Sequence, residues 1–228
     1  MGAWNQLAYN RALLEHHNNA QGVDALAITS YFGGYIPSNL NNPQILQSWL
    51  DQGGQTLALQ RLFAELTTGN VLRPYYLPGG LYYDPARPAW QIPPETGAID
   101  ALLGQLASNI ALAQEFNVAP ISYEGGQHLD VTVNGNATGI RDLMLAANRD
   151  PRMGSAYARY LDGWRNLGGQ MLMLYASHSS SSGFGMLEYE LQPLSDQPKL
   201  AAVQQWIDQY PCWWAGCAAS LLHADGFE

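Results

Sequence analysis

The segment Ala119-Pro120-Ile121-Ser122-Tyr123-Glu124-Gly125-Gly126-Gln127-His128-Leu129 joins a short apolar run to a carboxylate and two glycines. A strand over about Ala119 to Tyr123 would deliver Glu124 at its C-terminal end, the end where parallel strands of a barrel present reactive side chains. The glycines would let backbone or a ligand come close. A glutamate so placed can do chemistry on a bound molecule. The same residues also read as a carboxylate held in a strand-end hydrogen-bond network. His128 follows in the loop, either supporting the glutamate or without a chemical role.

Other chemistries lack a pattern. The chain has no GxGxxG, no P-loop and no GxSxG, so nucleotide and α/β-hydrolase readings are unsupported. His16 and His17 are adjacent, so on a helix they point to different faces. With His178 they form no recognised metal spacing. No metal and no cofactor are expected. Cys212 and Cys217 enclose Trp-Trp-Ala-Gly, and a turn after Pro211 and around Gly216 permits a small disulfide loop. Two unrelated buried thiols are the alternative. The disulfide is the favoured reading, and it implies an exported protein.

The elements that must carry these residues alternate in type. A helix is expected over about Asn5 to Asn18, then a nearly continuous apolar strand from Val23 to Gly34. One amphipathic helix spans about Pro43 to Thr67, broken near Gly53-Gly54, and a Pro/Tyr-rich loop runs from Arg73 to Pro94. Helical spacing returns at Ile99, Leu102, Leu103, Leu106, Ile110 and Phe116, with Thr96 as N-cap candidate. After the Glu124 strand and a polar loop come helices at about Gly139 to Asn148 and Met153 to Leu167. The second presents Met153, Tyr157, Leu161 and Trp164 on one face and ends at Gly168-Gly169. Gln170 to Ala176 reads as a third buried strand, and a last helix, about Gln197 to Gln209, turns Leu200, Val203, Trp206 and Ile207 inward. Strand–helix alternation implies an α/β fold with parallel pairing.

Composition narrows the partners. A 228-residue chain with 47% apolar residues supports one sizeable domain. A net charge of −9 with only 13% charged residues argues against nucleic acid and against anionic membranes. No apolar run approaches the roughly 18 residues of a membrane span. The first residues, Met1 to Gln6, lack the basic and apolar regions of a signal peptide, so a signal would lie upstream or have been removed. Tyrosine and tryptophan are plentiful, at 13 and 7, and flat rings with a polar edge suit sugar faces as well as cores.

Taken in order, Asp24 to Gly34, Tyr123-Glu124-Gly-Gly-Gln-His128, Gly168 to Tyr175 and Gly183-Phe-Gly-Met-Leu-Glu188-Tyr resemble strands six to eight of a (β/α)8 retaining glycoside hydrolase. The relatives are clan-A-like enzymes and cellulose-associated proteins similar to them. The likeness covers about Trp4 to Tyr210. It implies a partial (β/α)8 barrel over 1–211, followed by a tail, 212–228, with the disulfide loop. It matches Glu124 to the nucleophile that ends strand seven and Tyr31 to the tyrosine touching it. The sugar-contact set would be Tyr31, Tyr123, Gln127, His128, Tyr175 and His178, with Trp90 stacking beside Tyr82 and Tyr83. The partner implied is an oligo- or polysaccharide. The end, His223-Ala-Asp-Gly-Phe-Glu228, looks like the C-termini of exported proteins of some Gram-negative bacteria, which implies a secreted or periplasmic protein.

One departure matters. The family carries its acid/base after an Asn-Glu pair on strand four, and no Asn-Glu dipeptide occurs here. The resemblance therefore implies the C-terminal portion of a larger enzyme or a shortened relative, inactive in isolation. Glu188, after glycines beyond the third strand, reads as a structural turn or as a carboxylate facing the cleft, Asp130 has no spacing argument behind it, and Asp24 should lie at the opposite end of its strand. The alternatives are a noncatalytic carbohydrate-binding protein using the same cleft, or a fragment with exposed strand edges.

Overall fold

The computed structural model describes residues 2–3, 5–38, 42–69, 71–72, 96–129, 138–176, 178–179, 187–188 and 197–217. Its centre is a sheet in which β1 (Gly2–Ala3), β2 (Ala25–Phe32), β3 (Ala119–Gln127) and β4 (Leu172–Leu174) lie side by side in chain order, every pair parallel. Parallel neighbours need crossovers, and helices supply them. Between β1 and β2 run α1 (Leu7–Glu15) and a 3₁₀ stretch, His16–Gly22. Between β2 and β3 run α2 (Tyr35–Ser38), α3 (Asn42–Thr67) and α4 (Ala98–Glu115). Between β3 and β4 run α5 (Thr138–Arg149) and α6 (Pro151–Asn166). A separate pair, β5 (His178–Ser179) with β6 (Leu187–Glu188), precedes α7 (Pro198–Gln209). The chain is a mixed α/β fold, as its alternating runs predict.

Right-handed crossovers that always step in one direction put their helices on one face of the sheet. In β2 the buried residues Leu26, Ile28, Ser30 and Phe32 share that face, and α4 packs on β2 and β3 while α6 packs on β3. On the opposite face the β4 edge is open: Met171, Met173 and Tyr175 are 42%, 46% and 49% exposed. This corrects the reading of Gln170 to Ala176 as a strand buried on both sides. Leu172 and Leu174 pack on the core, and the residues between and beside them face outward.

Helix ends follow local chemistry. Asp150 caps α6 by accepting the Arg152 N–H at 2.9 Å, with Pro151 opening the first turn. Gly168, at φ +89°, closes it, and Gly169 N–H reaches the Trp164 carbonyl at 3.0 Å. Met153, Tyr157, Leu161 and Trp164 are all buried, as their spacing requires. The break expected in the long helix falls at Gly53-Gly54, where Gly54 takes φ +63°. Thr96 does not cap α4. Gly97 occupies that position without a side-chain bond, because a Cβ there would sit 2.5 Å from the Thr67 carbonyl oxygen. Ile207 is largely exposed rather than inward, while Val203 and Trp206 of α7 are buried.

Cys212 and Cys217 form a disulfide, with 5.5 Å between their Cα atoms. The loop it closes is tied down by Trp213, whose indole N–H donates to the Gly169 carbonyl at 2.9 Å and whose ring meets Trp206 at 5.0 Å. Among the described residues no helix is long and apolar enough to cross a membrane. The Pro/Tyr-rich loop with Tyr82, Tyr83 and Trp90, the loop containing Asp130, and the chain after Cys217 lie outside the described residues.

Candidate functional site

Strand β3 is irregular at Tyr123. On the β2 side Ile28 pairs with Ser122, but the next residue, Thr29, pairs with Glu124. On the β4 side Ser122 pairs with Leu172 and Gly125 with Leu174. Three steps on β3 therefore match two on β4, which is a β-bulge with Tyr123 as the extra residue. Ser122 and Gly125 are both buried toward the helices, while Tyr123 and Glu124 between them are half-buried. In a regular strand the period of two would turn Glu124 to the same side as Ser122. The bulge is what sends the carboxylate to the face opposite the helices.

There it meets the ends of the neighbouring strands. The Tyr31 phenol, one residue before β2 ends, lies close enough to the Glu124 carboxylate to feel its charge. Burial raises the Tyr31 phenol above its ordinary range, and the negative charge of Glu124 raises it further. Tyr31 therefore keeps its proton at neutral pH and remains a donor. Tyr123 is raised in the same direction, by burial first and then by Glu124. The Tyr31 ring stands edge-on to His128 at 5.1 Å and to Tyr175 at 6.4 Å. Tyr175 follows β4, where its N–H bonds the Gly125 carbonyl at 2.9 Å. The His128 N–H bonds the Phe32 carbonyl at 2.8 Å, and its ring lies against Gly34, where a Cβ would come 3.1 Å from Nδ1. Three strands thus bring Tyr31, Glu124, His128 and Tyr175 into one half-open cluster at their C-terminal ends.

Strand β3 does not stop at Tyr123; β2 keeps pairing with it as far as Phe32 opposite Gln127. Glu124 lies inside the strand. Its glycines also serve another purpose than ligand approach. A Cβ on Gly125 would overlap Ser30 Oγ and the Tyr160 hydroxyl, and one on Gly126, at φ +128°, would lie 2.8 Å from the Tyr157 hydroxyl. The protein's own tyrosines fill the space that sequence reasoning left for a ligand. Gln127 is likewise withdrawn from any sugar-facing role. It is fully buried, its Oε1 accepts the Leu129 N–H at 2.6 Å, and its own N–H donates to the Tyr157 hydroxyl at 3.1 Å. His178 lies on β5, paired with Leu187, and Glu188 on β6, paired with Ser179, so Glu188 sits in a short strand rather than a turn. The rings of His178 and Trp90 fall outside the described residues.

Glu124 is the single carboxylate on the four-stranded sheet, whose strands otherwise read GA, ALAITSYF and LML beside APISYEGGQ. Asp24 lies before β2, where its carbonyl accepts the Ala119 N–H, at the end of the sheet away from the cluster. Among the described residues no three His, Cys, Asp or Glu side chains converge to hold a metal. Sequence reasoning missed the buried hydroxyls beneath the bulge: Ser30, Ser122 and Tyr160. The signal for them was present, as serines at inward positions of two apolar runs and a tyrosine one helical turn from Tyr157.

What the arrangement offers is a carboxylate electrostatically coupled to a phenol, beside two aromatic rings, toward the C-terminal ends of parallel strands. No protein-family model, curated protein or solved structure matches this chain.

Proposed function

We propose that this chain is the sugar-binding, nucleophile-bearing portion of a retaining glycoside hydrolase acting on a β-linked glycan, with Glu124 as nucleophile. One observation carries the reading: Glu124 projects from the C-terminal half of a parallel strand, electrostatically coupled to Tyr31, whose ring meets those of His128 and Tyr175. Ligands of parallel α/β sheets bind beyond the carboxyl ends of the strands. Strands in chain order with helices on one side are also how a (β/α)8 barrel is wound, and the face opposite them corresponds to its interior.

Retention needs a second carboxyl about 5–5.5 Å from the nucleophile to protonate the leaving oxygen. Among the described residues the four-stranded sheet contributes none, and on this reading the acid/base is supplied by sequence outside this chain. Glu124 attacks the anomeric carbon. Tyr31 orients the carboxylate, while Tyr175 and His128 pack against the sugar ring. The exported location implied by the disulfide fits an enzyme of extracellular polysaccharide.

A second reading has its own support. A lone carboxylate among aromatic rings can bind a glycan without cleaving it, and the absence of a second carboxylate on the sheet favours this for the chain by itself. Titrating the protein with β-linked oligosaccharides, with reducing-end release measured in parallel, separates the two. Binding that weakens in Glu124→Gln without turnover is expected for this chain, and turnover is expected only in a longer protein carrying the acid/base. Binding unaffected by Glu124→Gln would remove the carboxylate from the site and end both readings.

A further inference from the structure

We propose that Ser122, Ser30 and Tyr160 are positioning residues, a buried chain of hydroxyls that clamps the bulge and so keeps Glu124 on the face of the sheet opposite the helices. The proposal rests on the reading of Glu124 as the functional carboxylate, and it adds the device that aims it.

The chain of hydroxyls has only one possible polarity. The Ser122 hydroxyl lies 3.1 Å from the Glu124 carbonyl oxygen, which can only accept, so Ser122 donates. Ser30 Oγ is within hydrogen-bond distance of Ser122 Oγ and of the Tyr160 hydroxyl. Ser122 has spent its proton on the carbonyl, so Ser30 donates to Ser122, and Tyr160 donates to Ser30. All three residues are fully buried. Each hydroxyl is satisfied only while the others are in place, and an unsatisfied buried hydroxyl is costly.

The consequence is geometric. The bulge puts an odd residue into β3, and removing it would rotate Glu124 toward the helices, where Ser122 and Gly125 now point. The carbonyl that Ser122 holds belongs to Glu124 itself. Gly125, directly after it, leaves the room that Ser30 and Tyr160 occupy, so helix α6 reaches through the sheet's inner face to the backbone of the reactive residue. Tyr160 stays protonated because burial raises its pKa, which suits a residue that must donate.

Tyr31 provides a readout that needs no activity, because its phenol senses the Glu124 carboxylate directly. The experiment follows the ring carbon that bears the hydroxyl in ¹³C-tyrosine-labelled protein at neutral pH, the Tyr31 signal being assigned by its loss in Tyr31→Phe, and reads the chemical-shift change that Glu124→Gln causes there. In Ser122→Ala the carboxylate loses its anchor, and the response of Tyr31 to Glu124→Gln is expected to fall by about half or more. Tyr160→Phe leaves the last link intact and is expected to produce a smaller loss of the same sign, and it carries the test should Ser122→Ala fail to fold. Val203→Ala on α7 weakens the core away from the site and is expected to leave the response unchanged. A wild-type response in Ser122→Ala, or an equal loss in Val203→Ala, would overturn the proposal. Oligosaccharide titrations of the same variants report separately: absence of glycan binding by the wild-type chain sinks the sugar reading and leaves the Tyr31 result to decide the clamp.

Discussion

In the proposed reading Glu124 and Tyr31 are the central pair, and the pair makes two predictions at the scale of single residues. Burial contributes most to the raised pKa of Tyr31, and the Glu124 charge adds to it. Glu124→Gln should therefore lower the Tyr31 titration only part of the way toward the ordinary tyrosine value of about 10. A full return would mean that burial had been assigned too large a part. Tyr31→Phe removes the donor while keeping the ring, so stacking against His128 and Tyr175 survives. The expected loss is about tenfold in affinity for a β-linked oligosaccharide, about 1.4 kcal/mol, measured by calorimetry.

Strands and helices determine whether that pair can exist. Gly125→Ala would drive a methyl into Ser30 and Tyr160, and overpacking of this kind costs about 1–3 kcal/mol. Gly104 makes the opposite case. It is exposed within α4, and an added Cβ meets nothing within 4 Å. Gly104→Ala should stabilise the protein by about 0.5–1 kcal/mol through helix propensity alone. Urea unfolding of the two variants checks both signs, and a Gly125→Ala protein as stable as wild type would show that the contact beneath the bulge relaxes freely.

Across the whole molecule, buried phenols link stability to pH. Tyr35, Tyr157 and Tyr160 all have raised pKa values, each chiefly because burial disfavours the phenolate. An acid whose folded pKa lies above its unfolded one contributes stability that is complete below the unfolded value. That stability is lost as pH rises from there toward the folded value. The fold should therefore hold up to about pH 10, the ordinary tyrosine value, and lose stability steadily above it. Circular dichroism and tyrosinate absorbance recorded together should change in one transition for the buried tyrosines, and full ionisation of a still-folded protein would contradict this. The disulfide acts at the same scale. It closes a short loop, with a sequence separation of 5, and chain entropy assigns such a loop about 2 kcal/mol. Replacing Cys212 and Cys217 by serine should lower stability by that amount, since Trp213 still ties the loop to Gly169.

Much of this was legible from residue order. Alternating apolar runs foretold the parallel α/β sheet, the spacing of Met153, Tyr157, Leu161 and Trp164 foretold the buried face of α6, and Gly53-Gly54 marked the break in α3. Such features are local, because periodicity and glycine conformation act within a few residues. Glu124 could be singled out for the same reason, by its place after an apolar run. Which way it points could not be read, since that depends on an extra residue defined only by pairing with β2 and β4. Gln127 and the two glycines were assigned to a ligand because their true neighbours, Tyr157 and Tyr160, lie about 30 positions along the chain. Packing across such separations is settled by the folded sheet and helix together, so sequence nominated the carboxylate and tertiary structure aimed it.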